Sequence, residues 1–513
     1  MASTAAAALT PARQRAITAA VTLATVIQTL DATIANVALP RMQGEMGATQ
    51  EQISWVLTSY IVSTAICMPL TGFLAERFGR RRLFLASVIG FTVASMMCGA
   101  AGTLGQIVLF RVLQGAFGAF LVPLAQAVLL DTWPREKQTA AMAVWGVGVM
   151  LGPILGPTLG GWLTEYQNWR WVFFINLPIG LLTTLGLLAW LPETPLDRAR
   201  RFDVFGFGCL AIGLAALQLM LDRGESLDWF ASREIVLEAA LAALGLYLFA
   251  VHIFTHPAPF VQPRLFADRN FAAGLATAFA LGVVLLATTT LLPPFLQGLM
   301  GYPVFDTGLL LAPRGVGTAL AMIAVGRLGD RIDPRLLILF GLGLCAVSLH
   351  AMTAFDTDVT PRLIAVTGVV QGLGIGFVFP PLTTVTFASL APRDRNEGAA
   401  MFSLVRNIGS SVGISVVISA LSHNARANHA VLAEHIDTSS LPLRLAIEAG
   451  VWRLDTPEGL ATLDAELTRQ ATTLAFLQDF RLMMWVCIAA MPLVLLLRRP
   501  VSTPPTGHAA ALD

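Results

Sequence analysis

The first residue of this chain equipped for chemistry is a carboxylate set in a long apolar stretch. Residues 16–39 carry one charged side chain, Asp31, within Leu30-Asp31-Ala32-Thr33-Ile34-Ala35-Asn36-Val37-Ala38-Leu39-Pro40. If that stretch crosses a bilayer, Asp31 lies near its middle. An ionisable group there costs about 2.5–3.5 kcal/mol on insertion scales, and such groups face a cavity or a partner and mark ion and proton pathways. Asp31 is therefore a candidate proton carrier; the competing reading is a structural acid bonded to neighbouring hydroxyls and amides. Arg111 opens a second such stretch, Arg111-Val112-Leu113-Gln114-Gly115-Ala116-Phe117-Gly118. A guanidinium does not shed its proton, so it must find an anion, water or carbonyls. Arg111 can set the acid's proton affinity, contact a substrate, or snorkel to the surface. Arg314 and Arg406 pose the same question later in the chain. With Asn36 and Gln114 they are the candidates for lining a substrate cavity.

Two motifs suit movement rather than binding. Gly72-Phe73-Leu74-Ala75-Glu76-Arg77-Phe78-Gly79 runs into Arg80, Arg81 and Arg82. The arginines anchor topology, but that does not account for Glu76 and Gly79. An acid among arginines can cap a helix or pair across a bundle interface, latching one conformation. Gly72, Glu76, Arg77, Gly79 and Arg81 are the gating candidates, with Asp131 as a partner for one of the arginines. Gly152-Pro153-Ile154-Leu155-Gly156-Pro157-Thr158-Leu159-Gly160-Gly161 is the other motif. Glycines 152, 156 and 160 share one helical face and permit close helix approach. Pro153 and Pro157 remove backbone donors and are expected to bend the helix.

The elements that position these residues follow from composition. Apolar residues make up 55% of 513 and charged residues 13%, with a net charge of +1, against about 25% charged in a soluble domain. Mean hydropathy is +0.70. A basic nucleic-acid binder and an acidic disordered chain are both excluded. What remains is an all-α polytopic membrane protein. Fourteen apolar runs approach the roughly 20 residues that a helix needs to cross a bilayer. Their limits are 16–39, 54–75, 83–101, 106–130, 138–163, 171–191, 203–221, 233–255, 271–297, 305–326, 336–355, 362–389, 398–421 and 478–497. The first, ending at Pro40, is too long for a signal-peptide core and should remain as a span.

The even number of spans puts both termini on one side. Twenty of the 33 Lys and Arg fall on that side and five in the short loops opposite, so the termini are expected in the cytoplasm. A weak repeat relates the halves. Gly, acid and Arg of Gly72–Arg77 recur in Gly326–Arg331, and Gln114-Gly115 and Pro123 recur as Gln371-Gly372 and Pro380. Two six-span bundles, 16–191 and 271–497, with two linker spans inside 192–270, explain both recurrences. Residues 1–15 and 498–513 are tails. Substrate in such a plan binds between the bundles near the midplane.

Residues 422–476 read as a long polar excursion on the far side, with an amphipathic helical stretch over Thr456–Ala475 and a possible docking surface. His423, His429 and His435 within it read as solvated. The five cysteines, Cys67, Cys98, Cys209, Cys345 and Cys487, all lie in apolar runs and read as small core hydrophobes. His252 and His350 sit apart, without paired acids. Neither a metal site nor an organic cofactor is expected.

Taken together, the motifs resemble the major facilitator superfamily, specifically its fourteen-span EmrB/QacA drug:proton antiporters. The match rests on Leu30–Pro40, Gly72–Arg82, Arg111–Gly118 and Gly152–Gly161. Trp169-Arg170-Trp171-Val172-Phe173-Phe174-Ile175-Asn176-Leu177-Pro178-Ile179-Gly180 is also similar, as is Leu221–Phe230, which with the long late loop is closest to the EmrB branch. The resemblance covers residues 15–497. It implies a bacterial inner-membrane exporter of amphipathic compounds, driven by a proton gradient, working with a periplasmic membrane-fusion protein and an outer-membrane channel. By position it makes Asp31 the proton carrier, Arg111 the coupling arginine, Glu76 and Arg77 the latch, and Gly152–Gly161 the antiporter motif. Glu76 departs from the family's usual Asp, and the second-half copy is degenerate at Asp333. Alternatives are a same-fold exporter of one endogenous metabolite, siderophore or lipid, and a membrane-embedded enzyme. The scattered ionisable residues disfavour the enzyme, and the lack of a Walker sequence disfavours ATP drive.

Overall fold

The computed structural model describes residues 10–194, 202–434 without 258 and 330, and 456–498, with 436, 444, 445 and 447 between. Thirteen helices among the described residues are long and apolar enough to cross a membrane. They are α1 (Pro11–Met46), α2 (Glu51–Phe78), α3 (Arg80–Ala100), α4 (Leu104–Thr132), α6 (Trp171–Trp190), α7 (Val204–Arg223), α8 (Arg233–Thr255), α9 (Arg269–Leu299), α10 (Phe305–Leu328), α11 (Pro334–Met352), α12 (Pro361–Phe387), α13 (Pro392–Glu434) and α14 (Pro457–Leu495). The 32-residue helix α5 (Arg135–Tyr166) completes the series between α4 and α6. Their outward faces are apolar, with Leu181, Leu185, Leu244, Phe254 and Val347 all exposed, as a lipid-facing surface requires. The chain is a multi-pass membrane protein.

Local chemistry sets the helix ends. Thr49 and Gln52 form a reciprocal capping box at the start of the second span, satisfying two donors that a helix N-terminus leaves open. Asp203 and Asp268 cap α7 and α9. Gly79 breaks α2 from α3 with φ +91, a region that L side chains avoid. Pro40, expected to end the first span, lies inside α1, which closes at Gly47 in the left-handed region. One missing backbone donor does not stop a helix whose neighbours hold it.

Within the 422–476 segment the helical stretch expected over Thr456–Ala475 is present, and residues 422–434 before it are more helical than a loop reading implies. α13 runs on to Glu434 and α14 begins at Pro457. No Gly or Pro interrupts residues 422–434, so the span continues as helix beyond the apolar run. The extensions touch through His429 Nε2 and Asp464 Oδ1 at 3.0 Å, and Asn428 donates to the Ala471 carbonyl at 3.3 Å. His435 lies outside the described residues.

Packing repeats in the two halves. In α1–α6, α1 packs on α5 and α6, α2 on α4, and α3 on α4 and α6; the same five pairings recur as α9 on α13 and α14, α10 on α12, and α11 on α12 and α14. The halves meet where α5 contacts α10 and α12, and where α13 contacts α2 and α4. α7 and α8 pair with each other, and α7 leans on α2 and α13. This is two six-helix bundles with two inserted linker spans. Gln14 near the start of α1 donates to the Thr132 carbonyl, and the Arg498 N–H donates to Asn270 at the start of α9. Both described chain ends thus lie on the membrane face that holds Asp131, called the terminal face below.

Candidate functional site: a buried ion pair and a latch

Asp31 is fully buried, and four other helices of its bundle close around it. Arg111 NH1 donates to its Oδ2 at 2.6 Å; Gln114 Nε2 and Asn176 Nδ2 donate to its Oδ1 at 2.8 and 2.9 Å. Arg111, also fully buried, makes its other hydrogen bonds inside the bundle. Its Nε meets the Val56 carbonyl at 3.0 Å and NH1 also meets Gln114 Oε1 at 2.8 Å. Its guanidinium lies 4.2 Å from the centre of the Tyr60 ring. Asn176 is braced by Ser95, which it contacts at 2.9 Å and which donates to the Phe173 carbonyl. Thus α1, α2, α3, α4 and α6 all contribute to one polar cluster in an apolar bundle. Breaking a buried pair by removing one partner typically costs about 3–5 kcal/mol.

The glycine face of α5 packs on α1 at this point. A Cβ on Gly152 would lie 2.6 Å from the Thr29 carbonyl carbon and 2.7 Å from the Leu30 nitrogen; one on Gly156 would lie 2.1 Å from Thr33 Oγ1. Thr33 donates to the Gly152 carbonyl at 3.1 Å. Gly160 meets Ile34, whereas Gly161 has no neighbour within 4 Å of a built Cβ. The small-residue stripe therefore holds the stretch of α1 that carries Asp31. The side chains of Pro153 and Pro157 lie outside the described residues.

Charge also gathers on the terminal face. Asp131 at the end of α4 pairs with Arg80 at 2.7 Å through one oxygen and with Arg395 of α13 at 2.5 Å through the other. Arg395 also donates to the Leu130 carbonyl at 3.1 Å. Asp131 thus spans both halves. Ser403 reaches Gln126 and Thr139 reaches Thr384 across the same boundary, each at 3.4 Å. Gly72 faces Glu397 of α13 so closely that an added Cβ would stand 3.0 Å from its Cα. Among the arginines proposed as latch, the structure pairs Asp131 with Arg80 rather than Arg77 or Arg81. Arg81 instead donates to the Leu188 carbonyl at the end of α6 at 2.6 Å. Glu76 is half-buried and Arg77 exposed.

The remaining candidates divide. Gln114, expected to line a substrate cavity, is fully buried and belongs to the Asp31 cluster: one turn after Arg111 on α4, its amide bridges that guanidinium to the carboxylate of α1. Asn36 is exposed, five residues on from Asp31, a spacing that turns it to another side of α1. Arg314 and Arg406 are half-buried, and neither forms an ion pair among the described residues. Arg314 donates to Thr289 Oγ1 at 2.8 Å and the Leu285 carbonyl at 3.1 Å. Arg406 lies 5.6 Å over the Phe379 ring, which stacks on Trp145 of the other half.

Several participants escaped the sequence reading. Asn176 and Ser95 carry no charge and look like any small polar residue in an apolar run. Arg395 reads as a loop anchor. Asp479 on α14 is 1% exposed, with no hydrogen-bond partner for either oxygen among the described residues. Only its position at the edge of the last apolar run hid it. His252, read as lacking a paired acid, lies 2.9 Å from Asp203. The fold brings together two residues 49 positions apart.

The sequence profile of the Major Facilitator Superfamily matches residues 21–414. The multidrug export protein EmrB of Haemophilus influenzae is 37% identical over 432 residues, 82% of this chain and 83% of that protein. The fatty acid resistance protein FarB of Neisseria gonorrhoeae is 36% identical over 501 residues, 96% of this chain and 97% of that protein. The crystal structure of the human organic anion transporter MFSD10 superposes with a TM-score of 0.59, at 15% identity, covering 92% of this chain and 99% of that one.

Proposed function

The chain belongs to the major facilitator superfamily, and from that premise we propose that it is a proton-coupled exporter of small amphipathic compounds in a bacterial inner membrane. The observation that carries the reading is the Asp31–Arg111 pair, one carboxylate and one guanidinium buried together in the first bundle. A proton arriving on Asp31 must displace one of three donors, and it leaves Arg111 without its counter-charge. The α1–α4 contact is then weaker than in the deprotonated state. Because α5 grips α1 beside Asp31, the change passes to α5, which forms part of the boundary with the second half. Differential stability of two bundle arrangements is what a proton must supply to drive transport.

Positive charge assigns the terminal face to the cytoplasm, so the Asp131 bridge holds the cytoplasmic side shut and the arrangement faces outward. Arg314 and Arg406 support a substrate with an acidic head. Both lie about 15 Å along their helices from a bundle end at 1.5 Å per residue, and both remain partly accessible without a carboxylate partner. One relative is named for resistance to fatty acids, compounds with such a head. The helical extensions of α13 and α14 suit a periplasmic fusion partner that hands substrate to an outer-membrane channel.

Purified protein in liposomes with an imposed pH gradient tests the core of this. Uptake of a fluorescent amphipathic acid into inside-acid vesicles is expected to rise with the gradient and to collapse with a protonophore. Gradient-independent flux would make the protein a facilitator and remove the role given to Asp31.

A further inference from the structure

We propose that Asp203, His252 and His256 form a binding site for one divalent transition-metal ion of the zinc, cobalt or nickel kind, at the terminal-face end of the linker hairpin. One donor atom from each residue lies within 4.8 Å of the other two. His252 lies in the last turn of α8 and His256 is its C-cap, with its N–H bonded to the His252 carbonyl at 2.9 Å, so the two imidazoles stand on one side at the four-residue spacing of a metal pair. Their rings are 4.7 Å apart and nearly parallel. His252 Nε2 lies 3.0 and 2.9 Å from the two oxygens of Asp203. With metal bonds of about 2.0–2.1 Å, tetrahedral ligand atoms stand about 3.3 Å apart. The ion would replace the proton that His252 and Asp203 share, and His256 would swing onto it.

The surroundings fit a built site. Asp203 is held from behind by the Gly206 N–H at 2.8 Å and the Phe260 N–H at 3.0 Å, the outer-shell support that ligating carboxylates require. A Cβ at Gly206 would stand 2.2 Å from the carboxylate, so only glycine lets the chain pass so close. Phe205 packs 5.1 Å from the His252 ring, and Phe207 packs on Phe260, so one wall is apolar. His256 is exposed, which gives an entry path and a fourth position for water. Two nitrogens and one oxygen suit a borderline metal, whereas magnesium and calcium take oxygen shells.

The place is also informative. Phe260 bonds Asp203, the Gln262 N–H bonds Glu397, and Arg264 pairs with Asp394 at 2.7 Å. The strap over 259–264 therefore ties this cluster to the start of α13, where Arg395 reaches Asp131. An ion that joins His256 to Asp203 fixes one end of that strap and favours the latched arrangement.

The test uses full-length protein in detergent, purified through a tag without histidine. Zinc titration by calorimetry should show one stoichiometric site, cobalt should give the visible ligand-field absorption of a low-symmetry site, and zinc should raise the thermal midpoint. His256→Ala should lose all three signals, its thermal shift being read against the variant's own unliganded midpoint. His252→Gln should do the same, and His350→Ala should change none. Absence of stoichiometric binding to the parent overturns the proposal. So does binding that survives both His256→Ala and His252→Gln, because the ion then sits on other histidines.

Discussion

Asp131 and Arg395 meet at 2.5 Å across the boundary between the two halves, while the second oxygen of the same carboxylate is held by Arg80. The pair is partly wet, so a charge-assisted contact of this kind contributes about 1–3 kcal/mol. A shift of about 1.4 kcal/mol changes a two-state ratio tenfold. Asp131→Asn should therefore open the terminal-face mouth by about one order of magnitude in population. Cysteine pairs placed across that mouth, in a background without the five native cysteines, should crosslink more slowly in Asp131→Asn than in the parent. Equal crosslinking at matched expression would reduce the bridge to a surface contact.

Replacing Asp31 with Asn keeps shape and removes titration, but it strands the Arg111 charge in a dry bundle. The expected result is loss of gradient-driven uptake together with destabilisation of about 3–5 kcal/mol, the usual consequence of breaking a buried pair. Arg111→Gln added to Asp31→Asn should restore much of the thermal midpoint and none of the proton coupling. That split separates a carrier from a structural acid. Full proton-driven uptake by either variant would move coupling to another residue, with Asp479 the next buried acid to examine.

What the sequence made legible follows charge and pattern. Asp31 and Arg111 stood out because a charge in an apolar run is costly and must have a reason. Their partners Asn176 and Ser95 did not, because uncharged polar residues in spans are common and only the fold shows which of them converge. Asp131 was readable as a partner for an arginine, but the choice of Arg80 and Arg395 depends on where α3 and α13 begin. The fourteen spans came from hydropathy alone. The polar continuation of α13 did not, since hydropathy marks the membrane and not the helix, whereas the amphipathic pattern over Thr456–Ala475 already marked that of α14. The Asp203–His252 contact joins the two ends of the linker hairpin, a distance that no local pattern reports.

Gly152 and Gly161 lie on one helix and should respond differently to the same change. A methyl group at 152 collides with the backbone of α1 at Thr29 and Leu30, while one at 161 meets nothing. Overpacking costs about 1–3 kcal/mol, and here it pushes on the segment that carries Asp31. Gly152→Ala should lower both the thermal midpoint and the transport rate, and Gly161→Ala should leave both unchanged. Equal behaviour of the two would mean that α5 does not grip α1 as described.

The second half contributes charge of its own. Among the described residues its two deep arginines, Arg314 and Arg406, are tied by neutral groups: a threonine hydroxyl and a carbonyl for the first, an aromatic face for the second. A guanidinium in that setting keeps unused donors, and an anionic head group is the ligand that satisfies them best. A hydrogen bond to a charged group contributes about 1.5–3 kcal/mol, which is a factor of about 10–100 in affinity. Arg406→Met preserves length and packing on Phe379 but removes the charge. Binding of an amphipathic carboxylate to the purified protein should weaken by that factor, while a neutral amphiphile of the same chain length should bind as before. The ratio of the two affinities is the measurement, because a general loosening of the bundle would lower both together. A variant that loses both equally, or neither, would show that Arg406 supports the helix contact and does not select the substrate's charge.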